Sequence, residues 1–147
     1  MQSCKKILCA VDLSDMSGKV ARHATAFAKA FDAEVLVVYA APSSSQYAGF
    51  DVQPKALESF VNELSQGAEE QMRKVMAKHF ADIRATSRIV SGFPAEEVLA
   101  EAERWGADLI VMGTHGRKGV DLLLFGSVAE KVVKGATMPV LTVSPDR

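Results

Sequence analysis

Cysteine is scarce in this chain, and neither sign of charge is in excess. Of 147 residues only Cys4 and Cys9 are cysteine, and 17 Lys and Arg stand against 18 Asp and Glu, for a formal net charge of -1. The lack of a basic surplus excludes the electrostatic footprint of a nucleic-acid groove, and the lack of an acidic block excludes a solvating tail. The longest uncharged apolar stretch, Val35–Pro42, falls well short of the ~20 residues that span a bilayer. At the N-terminus Asp12 interrupts the apolar run, leaving less than the roughly 7–15 residues a secretory h-region needs. Three scattered histidines and two cysteines offer no metal-ligand spacing. On a strand over Ile7–Val11 the two cysteines would face opposite sides and sit roughly 16 Å apart, beyond disulfide reach. Cys9 then reads as a small core residue and Cys4 as an exposed thiol. These absences predict a soluble, cytoplasmic protein without nucleic-acid partner or membrane span.

What remains is ordinary globular material, 48% hydrophobic and 24% charged. At this length one domain over 1–147 is expected. Its segments alternate in character. Lys6–Val11 is an apolar run. Val20, Ala24, Phe27, Ala28 and Phe31 recur at helical spacing across Ser17–Phe31. Glu34–Ala40 is rich in valine. Leu57, Phe60, Val61, Leu64, Ala68, Met72, Val75 and Met76 trace one stripe of a long helix with Gly67 as a weak point. Arg84–Val90 is mixed. Pro94 opens a helix, with Glu96 and Glu97 where its dipole favours anions, and Gly106 closes it. Leu109–Met112 is wholly apolar. After a glycine-rich stretch come a helix over about Ser127–Lys134 and a strand at Val140–Ser144. A loop at Ala41–Pro54 is long enough to serve as a lid.

Strict β-α alternation predicts an α/β fold with one open five-stranded parallel sheet covered by helices on both faces. The first, second and fourth strands are apolar on both faces and belong inside. The third and fifth carry polar residues and belong at the edges. The strand order then reverses between the first and fourth strands, where ligands of open α/β sheets bind.

The glycine stretch begins where the fourth strand ends. Gly113-Thr114-His115-Gly116-Arg117-Lys118-Gly119 is followed by Gly126-Ser127, with nine residues, Arg117 to Phe125, between Gly116 and Gly126. Glycines permit positive φ and close approach to a ligand, successive amides form anion sites, and a helix opening at Ser127 favours phosphate at its N-terminus. Ser127-Val128-Ala129-Glu130 also reads as a capping box. No G-x-x-x-x-G-K-[ST], G-x-G-x-x-G or G-x-S-x-G occurs, which weighs against a P-loop hydrolase, a dinucleotide dehydrogenase and a serine hydrolase.

Gly113-x-x-Gly116, nine residues, Gly126-Ser127 resembles the nucleotide-binding signature of the universal stress protein family. Lys5-Lys6-Ile7-Leu8, Val11-Asp12-Leu13-Ser14, Ala107 to Met112, Gly126 to Ala129 and Pro139 to Val143 are similar to that family in order and spacing, over the whole chain. The resemblance implies strand order 3-2-1-4-5, a Rossmann-like fold akin to the adenine nucleotide alpha hydrolases, and the ATP-binding branch. It implies that Met112, Gly113, Thr114, His115, Gly116, Arg117, Lys118 and Gly119 wrap ribose and phosphates. Gly126, Ser127 and Val128 would meet phosphates, and Ala10 and Ala40 would contact adenine in a loosened base pocket. Asp12 would lie near the nucleotide and share Mg²⁺ with it. ATP, ADP or AMP is the expected ligand. No residue reads as catalytic, so the expected activity is a nucleotide-responsive regulator in the stress response, acting through an unknown regulatory protein partner. The other reading is a slow Mg-dependent ATPase or nucleotide-transferring enzyme using Asp12. The uncharged edge Val140–Val143 invites pairing, and the resemblance implies a homodimer through it. Two substitutions are expected to test this: Leu141→Pro to weaken the dimer, and Gly126→Val to block binding while leaving the fold intact.

Overall fold

A computed structural model describes residues 3–14, 16–41, 54–115 and 126–145, excepting the side chains of 54, 60, 61, 64 and 65. The elements are β1 (Lys6–Ala10), α1 (Met16–Phe31), β2 (Glu34–Ala41), α2 (Pro54–His79), β3 (Ala85–Ser91), α3 (Pro94–Trp105), β4 (Leu109–Gly113), α4 (Ser127–Gly135) and β5 (Val140–Val143). All pairings are parallel, in the order β3-β2-β1-β4-β5. This is the order expected, with β3 and β5 at the edges. The expected lid lies almost wholly outside the described residues, as do the stripe side chains of Phe60, Val61 and Leu64. Gly67 does not interrupt α2. Among the described residues no helix is long and apolar enough to cross a membrane.

The inner strands are apolar on both faces because each feeds two cores. Ile7, Cys9, Val35, Val37, Leu109 and Val111 point to the layer holding Val20, Ala24 and Ala28 of α1 and Met72 of α2. Leu8, Leu36, Val38, Ile110 and Met112 point to the layer holding Val98 and Ala102 of α3 and Ala129 and Val132 of α4. The period of two in a strand sorts the residues. Each fully buried aliphatic side chain contributes about 1.5–3 kcal/mol. Helix ends follow local rules: Pro94 takes the first turn of α3, and Gly106 ends it at φ 77° with its amide donating to the Ala102 carbonyl, the left-handed cap that glycine adopts without strain.

At the amino ends of the strands, the Asp108 carboxylate accepts the amides of Lys5 and Lys6 at 2.9 and 3.0 Å, while the Asp108 amide donates to the Lys6 carbonyl at 2.7 Å. Lys6 Nζ donates to the Trp105 carbonyl and lies 5.3 Å from the centre of its ring. This clamp aligns β1 with β4.

Cys4 corrects the sequence reading. It is buried, not exposed, and joins the same core layer as Cys9. It precedes β1 by two residues, so strand alternation does not govern it. Burial, then the Asp108 charge, raises the Cys4 thiol pKa, and burial pushes that of Cys9 up to about 12. Both cysteines are free. His23 is exposed as expected, but His79 is half-buried against α1.

Candidate functional site

Beyond the carboxyl ends of β1, β2 and β4 lies a cavity of about 380 Å³. It opens where β1 and β4 are neighbours but their onward connections diverge, the switch point of the sheet. Ala10 and Ala40 line it from β1 and β2, and Asp12 follows β1. Met112, Gly113, Thr114 and His115 line it from the end of β4, and Gly126, Ser127 and Val128 from the start of α4. Ten of the fourteen sequence-predicted site residues therefore share one cavity. The other four, Gly116, Arg117, Lys118 and Gly119, lie outside the described residues.

Hydrogen bonds hold these pieces together. The Thr114 amide donates to the Val143 carbonyl at 2.9 Å, and the Gly126 amide donates to the Thr114 carbonyl at 2.8 Å. Thr114 Oγ1 stands 2.7 Å from His115 Nδ1. A Cβ on Gly126 would come within 2.3 Å of the Thr114 carbonyl oxygen. This overturns part of the sequence reasoning. Gly126 has φ -57°, so close backbone approach, not a left-handed conformation, requires glycine there. A valine at 126 would push the start of α4 off the end of β4, so Gly126→Val does not leave the fold intact.

The capping box is also corrected. Gly126, not Ser127, is the N-cap of α4, and no side chain caps it. Glu130 turns to Lys134 at 2.8 Å instead of folding back. An α-helix leaves its first amides without intrahelical acceptors, and in α4 the residues that carry them, Ser127, Val128 and Ala129, line the cavity. Donors of that kind, at the positive end of a helix dipole, suit an anion.

At the other wall Asp12 Oδ1 accepts the Ser14 amide at 2.9 Å, and Ser14 Oγ accepts the Met16 amide at 3.2 Å. Among the described residues no three His, Cys, Asp or Glu side chains converge to hold a metal. Asp12 alone brings a carboxylate to this cavity among them. One carboxylate fits Mg²⁺ only if the ligand supplies further oxygens, the usual manner of Mg²⁺ bound with phosphates.

Sequence reasoning missed Tyr39, Pro94 and Val98, which complete the walls, and Met16, Ser17 and Val20 of α1. Ser17 is 3% exposed, and its hydroxyl has no hydrogen-bond partner among the described residues. A helical serine early in α1 carries no sequence signal that separates it from an ordinary capping residue.

The sequence profile of the universal stress protein family matches residues 3–144. A universal stress protein of Methanocaldococcus jannaschii, MJ0531, is 40% identical over 141 residues, covering 95% of this chain and 81% of the relative. The solved structure of MJ0577 from the same organism has a TM-score of 0.84 at 28% identity and covers 97% of each chain. A universal stress protein from Archaeoglobus fulgidus, solved in complex with dAMP, has the same fold, with a TM-score of 0.56 at 21% identity over 97% of this chain and 98% of that one.

Proposed function

The chain belongs to the universal stress protein family, and on that premise we propose that it is an ATP-binding regulator of the stress response with little or no turnover. The observation that carries this reading is the convergence of the β4 end and the α4 start on one cavity. The dAMP complex of the A. fulgidus relative supports an adenine nucleotide as the ligand class.

The roles divide along the cavity. Ala10 and Ala40 leave room for the base and exclude water from its faces. The amides of Ser127 and Val128, the Ser127 hydroxyl and the Gly126 cradle hold phosphate oxygens. The segment from Met112 through Thr114 and His115 to Gly116, Arg117, Lys118 and Gly119 wraps ribose and phosphates, and Arg117 and Lys118 offset phosphate charge. Asp12 accepts from the ribose or shares Mg²⁺ with the phosphates; bound there, the cation would neutralise the repulsion between that carboxylate and the polyphosphate.

Calorimetric titration with ATP and Mg²⁺ tests this, together with chromatography of nucleotide released on denaturing the purified protein. Heat of binding and a released adenine nucleotide are expected. No heat and no thermal shift would instead support a protein-binding module. Phosphate release above about 0.1 s⁻¹, abolished by Asp12→Asn, would favour the ATPase, because typical enzymes turn over at 1 s⁻¹ or faster.

The homodimer through Val140–Val143 belongs to the same proposal, but its test changes. The Pro139 carbonyl accepts the Ile110 amide of β4, and the Val143 carbonyl accepts the amide of Thr114 just beyond it. In a parallel strand alternate residues bond to the same side, so Leu141 also faces β4, and the outward amides are those of Val140 and Thr142. Leu141→Pro would break the sheet itself. Thr142→Pro removes an outward donor and is expected to shift the mass in light scattering from dimer to monomer while helical circular dichroism is retained.

A further inference from the structure

We propose that the Ser17 hydroxyl donates a hydrogen bond to a phosphoryl oxygen of the bound nucleotide, which makes the first turn of α1 a second wall of the phosphate subsite, opposite α4. This rests on the nucleotide reading above and extends it to a residue outside the glycine signature. A buried hydroxyl ordinarily finds a hydrogen-bond partner within the protein. Ser17 does not: it is 3% exposed, lines the cavity, and its Oγ has no partner among the described residues. Such a group carries an unrecovered desolvation penalty in the empty protein, and a ligand acceptor recovers it.

Its position along the cavity selects the phosphates. Val20 lies three residues on, on the same helix face, and its Cγ2 stands 3.4 Å from where a Cβ on Gly113 would be. Gly113 leads to Thr114, whose carbonyl holds the Gly126 amide. Ser17 therefore stands over the β4 side of the cavity, where the phosphate donors are, while Ala40 closes the β2 side.

The test compares wild type with Ser17→Ala by calorimetric titration with adenosine, AMP, ADP and ATP in Mg²⁺ buffer, and by thermal melts of the nucleotide-free proteins. The nucleotide-free variant is expected to melt at or above the wild-type temperature, because an unsatisfied group is removed. Its adenosine affinity stays unchanged, and its ATP affinity falls by roughly tenfold, the loss expected for one hydrogen bond to a charged group. Equal ATP affinity in the two proteins would overturn the inference and leave the nucleotide reading intact. So would a lowered melting temperature, which marks a structural role, or an equal loss for adenosine, which puts the hydroxyl at the base. Wild type that binds none of the four ligands would overturn both.

Discussion

Two polar side chains are buried to almost the same degree, on different sides of the sheet, and they differ in their company. Glu101 of α3 is 2% exposed and Ser17 of α1 is 3% exposed. Glu101 receives Arg104, one turn on, and Arg88 Nε from β3 at 3.3 Å. Arg88 is in register with Val38, so it emerges on the face that α3 covers, and the carboxylate fastens helix to edge strand. Ser17 receives nothing among the described residues and lies in the wall of a cavity. A buried polar group that the fold itself satisfies belongs to the architecture. One that the fold leaves unsatisfied, in a hollow lined by helix amides, belongs to whatever enters.

Glu101→Ala puts the architectural side of this contrast at risk. It removes charged hydrogen bonds and leaves a void, with an expected cost of about 2–3 kcal/mol of unfolding free energy. Its guanidinium partners are half-exposed and rehydrate, which limits the loss. Nucleotide affinity is expected to stay at the wild-type value in titration, and a parallel loss of binding would erase the distinction between the two regions. Gly126→Ala acts on both sides at once. Its Cβ meets the Thr114 carbonyl at 2.3 Å, so about 1–3 kcal/mol of stability is lost to overpacking. Binding weakens with it because the α4 amides move, and denaturant melts and titration of one preparation measure both losses.

The smallest effect is expected at the join of α1 and α2. His79 packs against Gly18, the neighbour of Ser17, and its carbonyl accepts Thr25 Oγ1 at 3.3 Å. Burial, with Lys78 and Arg22 nearby, lowers the imidazole pKa from 6.5. The folded protein thus binds this proton less readily than the unfolded chain, and stability rises with pH wherever the unfolded state holds more protons. The His79 contribution is complete above about pH 6.5 and is lost as pH falls through the lowered value. Melting temperatures at pH 7.5 and 5.5 should differ less in His79→Gln than in wild type.

The sheet was legible from composition alone, because runs such as Val35–Val38 and Leu109–Met112 are apolar at every position and only an inner strand needs that. The cavity was legible through its glycines, though for a different reason at Gly126, where the constraint is a carbonyl pressed against its Cα. Ser17 and Cys4 were not legible. Whether a hydroxyl finds an acceptor, or a thiol before a strand folds inward, depends on atoms supplied by distant segments. The Ser127–Glu130 spacing misled because Lys134, one turn further on, competes for the same carboxylate.

Strands that are greasy on both sides carry no polarity to report a slip. Sliding β1 by one residue against β4 would exchange one set of aliphatic side chains for another, a weaker penalty than exposing a core to water. Alignment must then be imposed from elsewhere, and the Asp108 carboxylate gripping two consecutive amides of the neighbouring chain segment does so. It serves as the zero mark of a ruler. Ala10 arrives opposite Met112, with Gly113 one step beyond, because both strands are measured from the same pin at the far side of the molecule.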